Sequence, residues 1–275
     1  MRRFFTCFAV FSGLFLVFSS GCGDDGTGGS GATGGSGGSG GGAGATGGAG
    51  GGGPQPVCTD PVAVPCEDEV ILQMNLQPDP APGLISNTAD GADWVSLVDA
   101  TAGGAFATTP DSYVYARFTA NGLEKVDISD EDSLTSMDWD IAFRRYVVRI
   151  NSGHSGPSCV TAARVPSTTY DELTTLPDNL TFHKDEYFTD TCELIADGTG
   201  LPGSPATALA SYWTYPGCVS MTKNVYAIEL QDGRHVKFTV ELYYNEAAQA
   251  QCDTSGSVPM NNNGSANFQV RWAEL

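Results

Sequence analysis

The sequence predicts a mainly β protein: one antiparallel β-rich domain, a sandwich or partly open barrel with long loops, carried on a glycine-rich tether. Three observations predict it. Apolar and polar residues alternate over long C-terminal runs, Asn-Gly and Asp-Gly dipeptides join such runs, and six cysteines are scattered behind an export-type N-terminus.

The chain opens with Met1-Arg2-Arg3, an apolar run from Phe4 to Phe18, and Ser19-Ser20-Gly21-Cys22. Charged, apolar and small-residue zones in that order read as a signal peptide over residues 1–21. The run falls short of the roughly 20 apolar residues a membrane span needs, so cleavage is expected. Ser-Gly-Cys resembles a bacterial lipobox, although Ser19 stands where leucine is usual, and it makes Cys22 the expected lipidated residue. Ordinary cleavage between Ser19 and Gly26, with Cys22 a plain thiol, is the alternative.

Residues 22–53 form the expected tether. Nineteen of the 31 residues from Gly23 to Gly53 are glycine, and the segment holds no large apolar side chain. Nothing there offsets the entropy of ordering a backbone, so a flexible coil reaching about 30 Å follows. Collagen is excluded because the glycines do not recur at every third position.

Residues 54–275 are long enough for one sizeable core. Strands are expected at Glu69–Leu76, Tyr113–Phe118, Leu123–Ile128, Trp139–Ile150, Val225–Leu230, Arg234–Tyr244 and around Phe268–Trp272. Asn121-Gly122 and Asp232-Gly233 supply two hairpin turns, since both dipeptides accept positive φ. Val236, Phe238, Val240 and Leu242 alternate with polar neighbours, as do Phe268, Val270 and Trp272, which gives each strand one buried face. Short helices are expected only at Thr168–Leu173 and Pro205–Tyr212, within a loop-rich middle from Ser152 to Gly217.

Charge and cysteine use narrow the function. Removing residues 1–21 leaves 13 minus 2, or 11, basic against 32 acidic side chains, a net charge of −21. Such a surface excludes nucleic acid as a natural partner. Without Cys7 and Cys22, the cysteines Cys58, Cys66, Cys159, Cys192, Cys218 and Cys252 remain, and an oxidising compartment makes three disulfides of them. Their pairing is open among 15 arrangements, with Cys58–Cys66 favoured by the short Pro-rich loop between them. No Cys-x-x-Cys spacing supports zinc.

The block Met137-Asp138-Trp139-Asp140-Ile141-Ala142-Phe143-Arg144-Arg145-Tyr146-Val147-Val148-Arg149-Ile150-Asn151-Ser152-Gly153-His154-Ser155-Gly156 resembles the signature of the HmuY family. The preceding Tyr113–Phe118 hairpin, the following Tyr170-Asp171-Glu172-Leu173 with Pro177, and the long C-terminal strands fit the same order. On its own pattern, the block reads as a strand with Trp139, Ile141 and Phe143 on one face and Arg144, Tyr146 and Val148 on the other. A turn at Asn151-Ser152-Gly153 then places His154 and Ser155 on an exposed loop.

The resemblance implies an exported haem-binding lipoprotein with an all-β fold, its iron ligated by paired histidines or, in some members, methionine. It also implies haem or a haem-carrying protein as partner, the membrane being reached through lipid on Cys22. The expected location is the cell envelope, as an outer-membrane lipoprotein facing the periplasm or the surface, acting in iron acquisition. Of three histidines, His235 belongs to a solvated strand face. His154 and His183, 29 residues apart, are the expected ligand pair, with Tyr146 and Tyr187, and also Trp213, as wall aromatics; Met137 and Met221 are substitutes.

Rival classes fare worse. Pro157 stands where a Gly-x-Ser-x-Gly elbow beginning at Gly153 needs glycine, and no His-Glu-x-x-His occurs, so no enzyme is expected. The acidic run Asp127 to Asp132 lacks the glycine and terminal glutamate of a calcium loop. A surface lipoprotein of the same fold with a non-haem or structural role is the alternative function.

Overall fold

The computed structural model describes residues 58–275 apart from 105, 106, 108 and 202. The expected signal peptide, the expected lipidation at Cys22 and the expected tether lie outside the described residues. The elements in chain order are α1 (Glu67–Gln73), β1 (Ile85–Asp90), β2 (Asp93–Asp99), β3 (Val114–Thr119), β4 (Gly122–Val126), α2 (Asp130–Ser133), β5 (Ile141–Arg144), β6 (Val147–Ile150) and β7 (Thr161–Val165). Then follow β8 (Trp213–Thr214), β9 (Ser220–Met221), β10 (Val225–Glu229), β11 (His235–Leu242), α3 (Glu246–Ser255) and β12 (Asn267–Glu274).

Every strand pairing is antiparallel. Six strands in the order β1-β2-β12-β11-β10-β7 make one sheet and four in the order β4-β3-β5-β6 make the other. Both expected hairpins form, β3–β4 around Asn121-Gly122 and β10–β11 around Asp232-Gly233. Alternation explains the sandwich. Val114, Ala116 and Phe118 of β3 point into the main core with Ile141, Phe143, Val236, Phe238, Val240, Phe268 and Val270. Tyr113 and Tyr115 point the other way, into a second core with Trp139, Tyr187 and Val70. A third, smaller core of Val165, Val225, Ala227, Tyr170 and Leu173 backs the larger sheet.

Several expected elements are corrected. Glu69–Leu76 is not a strand: α1 occupies Glu67–Gln73. Val70 and Met74, spaced i, i+4, are buried in the second core while Leu72 between them is exposed, and three acids sit in the first turn where the helix dipole favours them. Trp139–Ile150 is a tight hairpin, not one strand. The chain reverses at Arg145, whose φ of 52° is held by its N–H on the Ala100 carbonyl at 2.7 Å. Val148 thereby pairs with Phe143 and joins the main core instead of sharing a face with Arg144.

Thr168–Leu173 is a turn stapled by Glu172, which accepts from the Thr169 N–H at 2.9 Å. Of Pro205–Tyr212 only Ala210–Tyr212 coils, as a 3-10 turn. β11 bulges between Val240 and Leu242, so Leu242 leaves the buried row.

Cys58 and Cys66 are not partners. The disulfides are Cys58–Cys159, Cys66–Cys192 and Cys218–Cys252, with Cα separations of 6.1, 5.5 and 6.0 Å. The intervening Pro61 and Pro65 keep the segment extended rather than folded back, so each cysteine meets a different loop of the sandwich.

Candidate functional site

The Trp139–Gly156 block is knotted into the fold by its own polar groups. The Trp139 indole donates to the Ser133 carbonyl at 3.1 Å and packs edge-on against Tyr115 with ring centroids 4.9 Å apart. Asn151 donates from its amide to the Ser136 and Trp139 carbonyls and accepts the Ser158 N–H at 3.1 Å. Gly156 lies where a Cβ would come within 2.2 Å of Asn151 Oδ1 and 2.7 Å of the Trp139 ring. Gly153, at φ 59°, faces the Asp185 carbonyl at 2.3 Å from where its Cβ would stand. Both glycines answer to close packing of this corner.

Two arginines lie beneath it. Arg144 pairs with fully buried Asp130 at 3.2 Å, and its guanidinium stands 4.1 Å from the centroid of the Tyr113 ring. Asp130 also accepts the Tyr113 N–H and the Tyr115 hydroxyl. The one buried member of the acidic run is therefore committed to the core, and among the described residues no cluster of His, Cys, Asp and Glu is arranged to hold a metal ion. Arg149, fully buried, donates to Ser155 Oγ at 3.1 Å and to its carbonyl at 2.6 Å, and lies 4.7 Å from the Tyr113 centroid on its own side. Ser155 in turn donates to Asp185 Oδ2 at 2.6 Å, so it is a buried structural hydroxyl.

Asp185 organises the floor. Its carboxylate accepts from Ile150 N–H, Ala208 N–H and Ser155, and burial pushes its pKa up to about 6 against those bonds. Tyr187 beside it donates to the His154 carbonyl at 3.0 Å, and burial raises its phenol to about 12.

Above this floor opens a cleft of about 670 Å³. His154 lines it together with Lys184, Glu186, Phe188 and the Cys66–Cys192 bridge. The histidine is only 7% exposed, not on an exposed loop as its turn suggested. Its N–H donates to the Asp185 carbonyl at 2.7 Å, its Nδ1 accepts the Phe188 N–H at 3.3 Å, and the rings of Tyr187 and Phe188 both stand at 5.4 Å. Burial lowers its pKa below the ordinary 6.5, the nearby Glu186 carboxylate acting against that.

Of the four expected site residues, the structure brings His154 and Tyr187 together and places the other two elsewhere. Lys184, Glu186 and Phe188 line the cleft, whereas Asp185 and Tyr187 are buried beneath it and His183 lines a separate groove beside Arg164 and Pro177. Alternation along an extended segment gives His183 the wrong parity for His154's cleft. Tyr146 packs on Trp213 with centroids 5.2 Å apart, at the edge of the main core. Met221 is buried in that core, Met137 lines a small pocket near Asp140, and half-exposed His235 faces Phe182. Lys184 and Glu186 were missed by sequence reasoning, although the alternation of 184, 186 and 188 was there to be counted.

This geometry tests a haem site directly. Neither the His154 cleft nor the His183 groove is lined by a second histidine or by a methionine. His154 offers a single imidazole, and because Nδ1 accepts the Phe188 N–H, the neutral ring carries its proton on Nε2. Iron needs a free lone pair on the ligating nitrogen. The residues do not fit the paired-histidine mode.

Two antiparallel sheets with a cleft walled in part by the Cys66–Cys192 bridge define a mainly β, disulfide-stabilised domain. The profile of the HmuY protein family matches residues 109–255, more than half of the chain, and the chain belongs to that family. Solved structures similar to it include one described as a HmuY-like heme binding protein from Bacteroides vulgatus, with 17% identity and a TM-score of 0.41, covering 68% of this chain and 93% of that one. The apo HmuY analog of Tannerella forsythia has 17% identity and a TM-score of 0.36 over 71% of this chain and 98% of that one. A protein described as a lipoprotein from Bacteroides fragilis has 18% identity and a TM-score of 0.39 over 67% and 91%. No curated protein matches the chain.

Proposed function

We propose that the chain is an exported lipoprotein, anchored through Cys22 and raised on residues 22–53, whose domain captures haem at the cell envelope. Family membership over residues 109–255 carries this reading. No helix among the described residues is long and apolar enough to cross a membrane; in this reading the lipid on Cys22 supplies the anchor. His154 would then be the one iron-capable imidazole of the cleft. Haem would supply the iron to be carried; the chain's own residues supply a wall, Phe188, and the charged rim, Lys184 and Glu186, with Tyr187 in the floor beneath.

A second reading has a specific observation behind it. His154 and His183 line separate grooves, which favours a family member that binds another ligand or serves a structural role in the envelope. Titration of hemin into the purified chain, followed by the Soret band, separates the two. Haem capture predicts a shifted Soret band whose affinity falls in His154→Ala by more than the roughly tenfold that even supporting groups contribute, with His183→Ala unchanged. A shift untouched by either substitution refutes the ligand assignment. No shift in the parent chain ends the haem reading and leaves the second one standing.

A further inference from the structure

Residues 58–66 form a strap along the His154 cleft, tied by a disulfide at each end. Cys58 is bonded to Cys159, just beyond the signature block, and Cys66 to Cys192, in the loop after Phe188. Val62, Ala63 and Pro65 of the strap line the cleft, with Val62 66% exposed. Its C-terminal end runs directly into α1, which Val70 and Met74 anchor in the second core; between the two ends little else holds it. Among the described residues, the only hydrogen bond from residues 59–65 to the rest of the domain is Val62 N–H to the Pro157 carbonyl at 2.9 Å, and Val64 is the only one of those side chains that is buried.

The three disulfides are not equivalent. Cys218 and Cys252 are each 1% exposed within the main core. Cys66 and Cys192 are half-buried and form part of the cleft wall. Both also hold left-handed backbone angles, φ 54° and 59°, a region that residues with a Cβ avoid; Cys159 does not. Opening the Cys66–Cys192 bond would let both residues relax.

We propose that Cys66–Cys192 is a redox-active disulfide whose reduction uncouples the strap from the loop that carries Cys192 and opens the cleft. The reductant is a dithiol. Its thiolate attacks one sulfur, forms a mixed disulfide and expels the other cysteine as a thiolate; its second thiol then displaces the first cysteine. Two cysteine thiols remain and the reductant leaves as its own disulfide. The inference concerns access to the cleft and does not depend on haem being the ligand.

The test is graded reduction of the native chain with dithiothreitol, quenching with iodoacetamide and mapping of alkylated cysteines by mass spectrometry. Cys66 and Cys192 are expected to react at reductant concentrations at least about tenfold below those needed for Cys218 and Cys252. At that point hydrogen–deuterium exchange should rise in residues 58–66 and 185–192, with β10 and β11 still protected. The double variant Cys66→Ser, Cys192→Ser should show the same loosened segments without reductant; should it not fold, the titration of the unaltered chain decides. Concerted opening of all three bridges, earlier opening of Cys218–Cys252, or selective reduction with unchanged exchange overturns the proposal.

Discussion

Asp140 makes the stability of this domain depend on pH in a direction opposite to the common one for carboxylates. It stands at the entry to β5, 6% exposed, and its Oδ2 accepts one N–H, from Phe118 at 2.9 Å. Burial pushes its pKa from 3.8 to about 6, beyond what the Phe118 bond lowers it. A carboxyl whose folded pKa lies above the unfolded value takes up a proton more readily when folded. Its contribution to stability is therefore fully present below pH 3.8 and is lost as pH rises through 6. At 1.36 kcal/mol per unit the full swing is about 3 kcal/mol, of which about 2 is recovered by about pH 4.5. Asp185 titrates in the same sense and His154 in the opposite one, so the measurement compares the parent chain with Asp140→Asn, in which those contributions are common to both. Urea unfolding followed by tryptophan fluorescence at about pH 7.5 and 4.5 should show the parent gaining about 2 kcal/mol on the variant. Parallel behaviour of the two chains would refute a buried, elevated carboxyl at this position.

Arg144→Ala strands the Asp130 carboxylate in the second core, and a loss of about 3–5 kcal/mol in urea unfolding is expected. Gly156→Ala drives a methyl group against Asn151 and the Trp139 ring; a loss of about 1–3 kcal/mol should appear as a lowered thermal midpoint, and an unchanged midpoint would contradict the close packing.

Strand alternation was legible wherever one face of a strand meets the core and the other meets solvent, as in β11 and β12. It misled at α1, where Val70, Leu72 and Met74 mimic period two although Leu72 points outward. It also failed within the signature block, because a reversal at Arg145 carries no glycine to announce it; only tertiary bonds to Ala100 and Gly104 hold that residue at positive φ. The helix α3 was hidden by a weakly amphipathic, alanine-rich stretch, although its Asn245 cap, accepting from the Ala248 N–H at 3.0 Å, was visible as a start signal. The candidate site was legible in part. His154 and Tyr187 meet, but whether His183 could join them depended on the parity of a segment without regular pairing, which no local pattern announces.

The disulfide connectivity also bears on how the domain is made. Cys58 and Cys66 lie eight positions apart and emerge together from the N-terminal side, whereas their native partners follow 101 and 126 residues later. Chain length alone would favour closing the short loop over the 101-residue one by about 2 kcal/mol. Pro61 and Pro65 stiffen that short segment and oppose its closure, which keeps both sulfurs available for partners made much later in the chain.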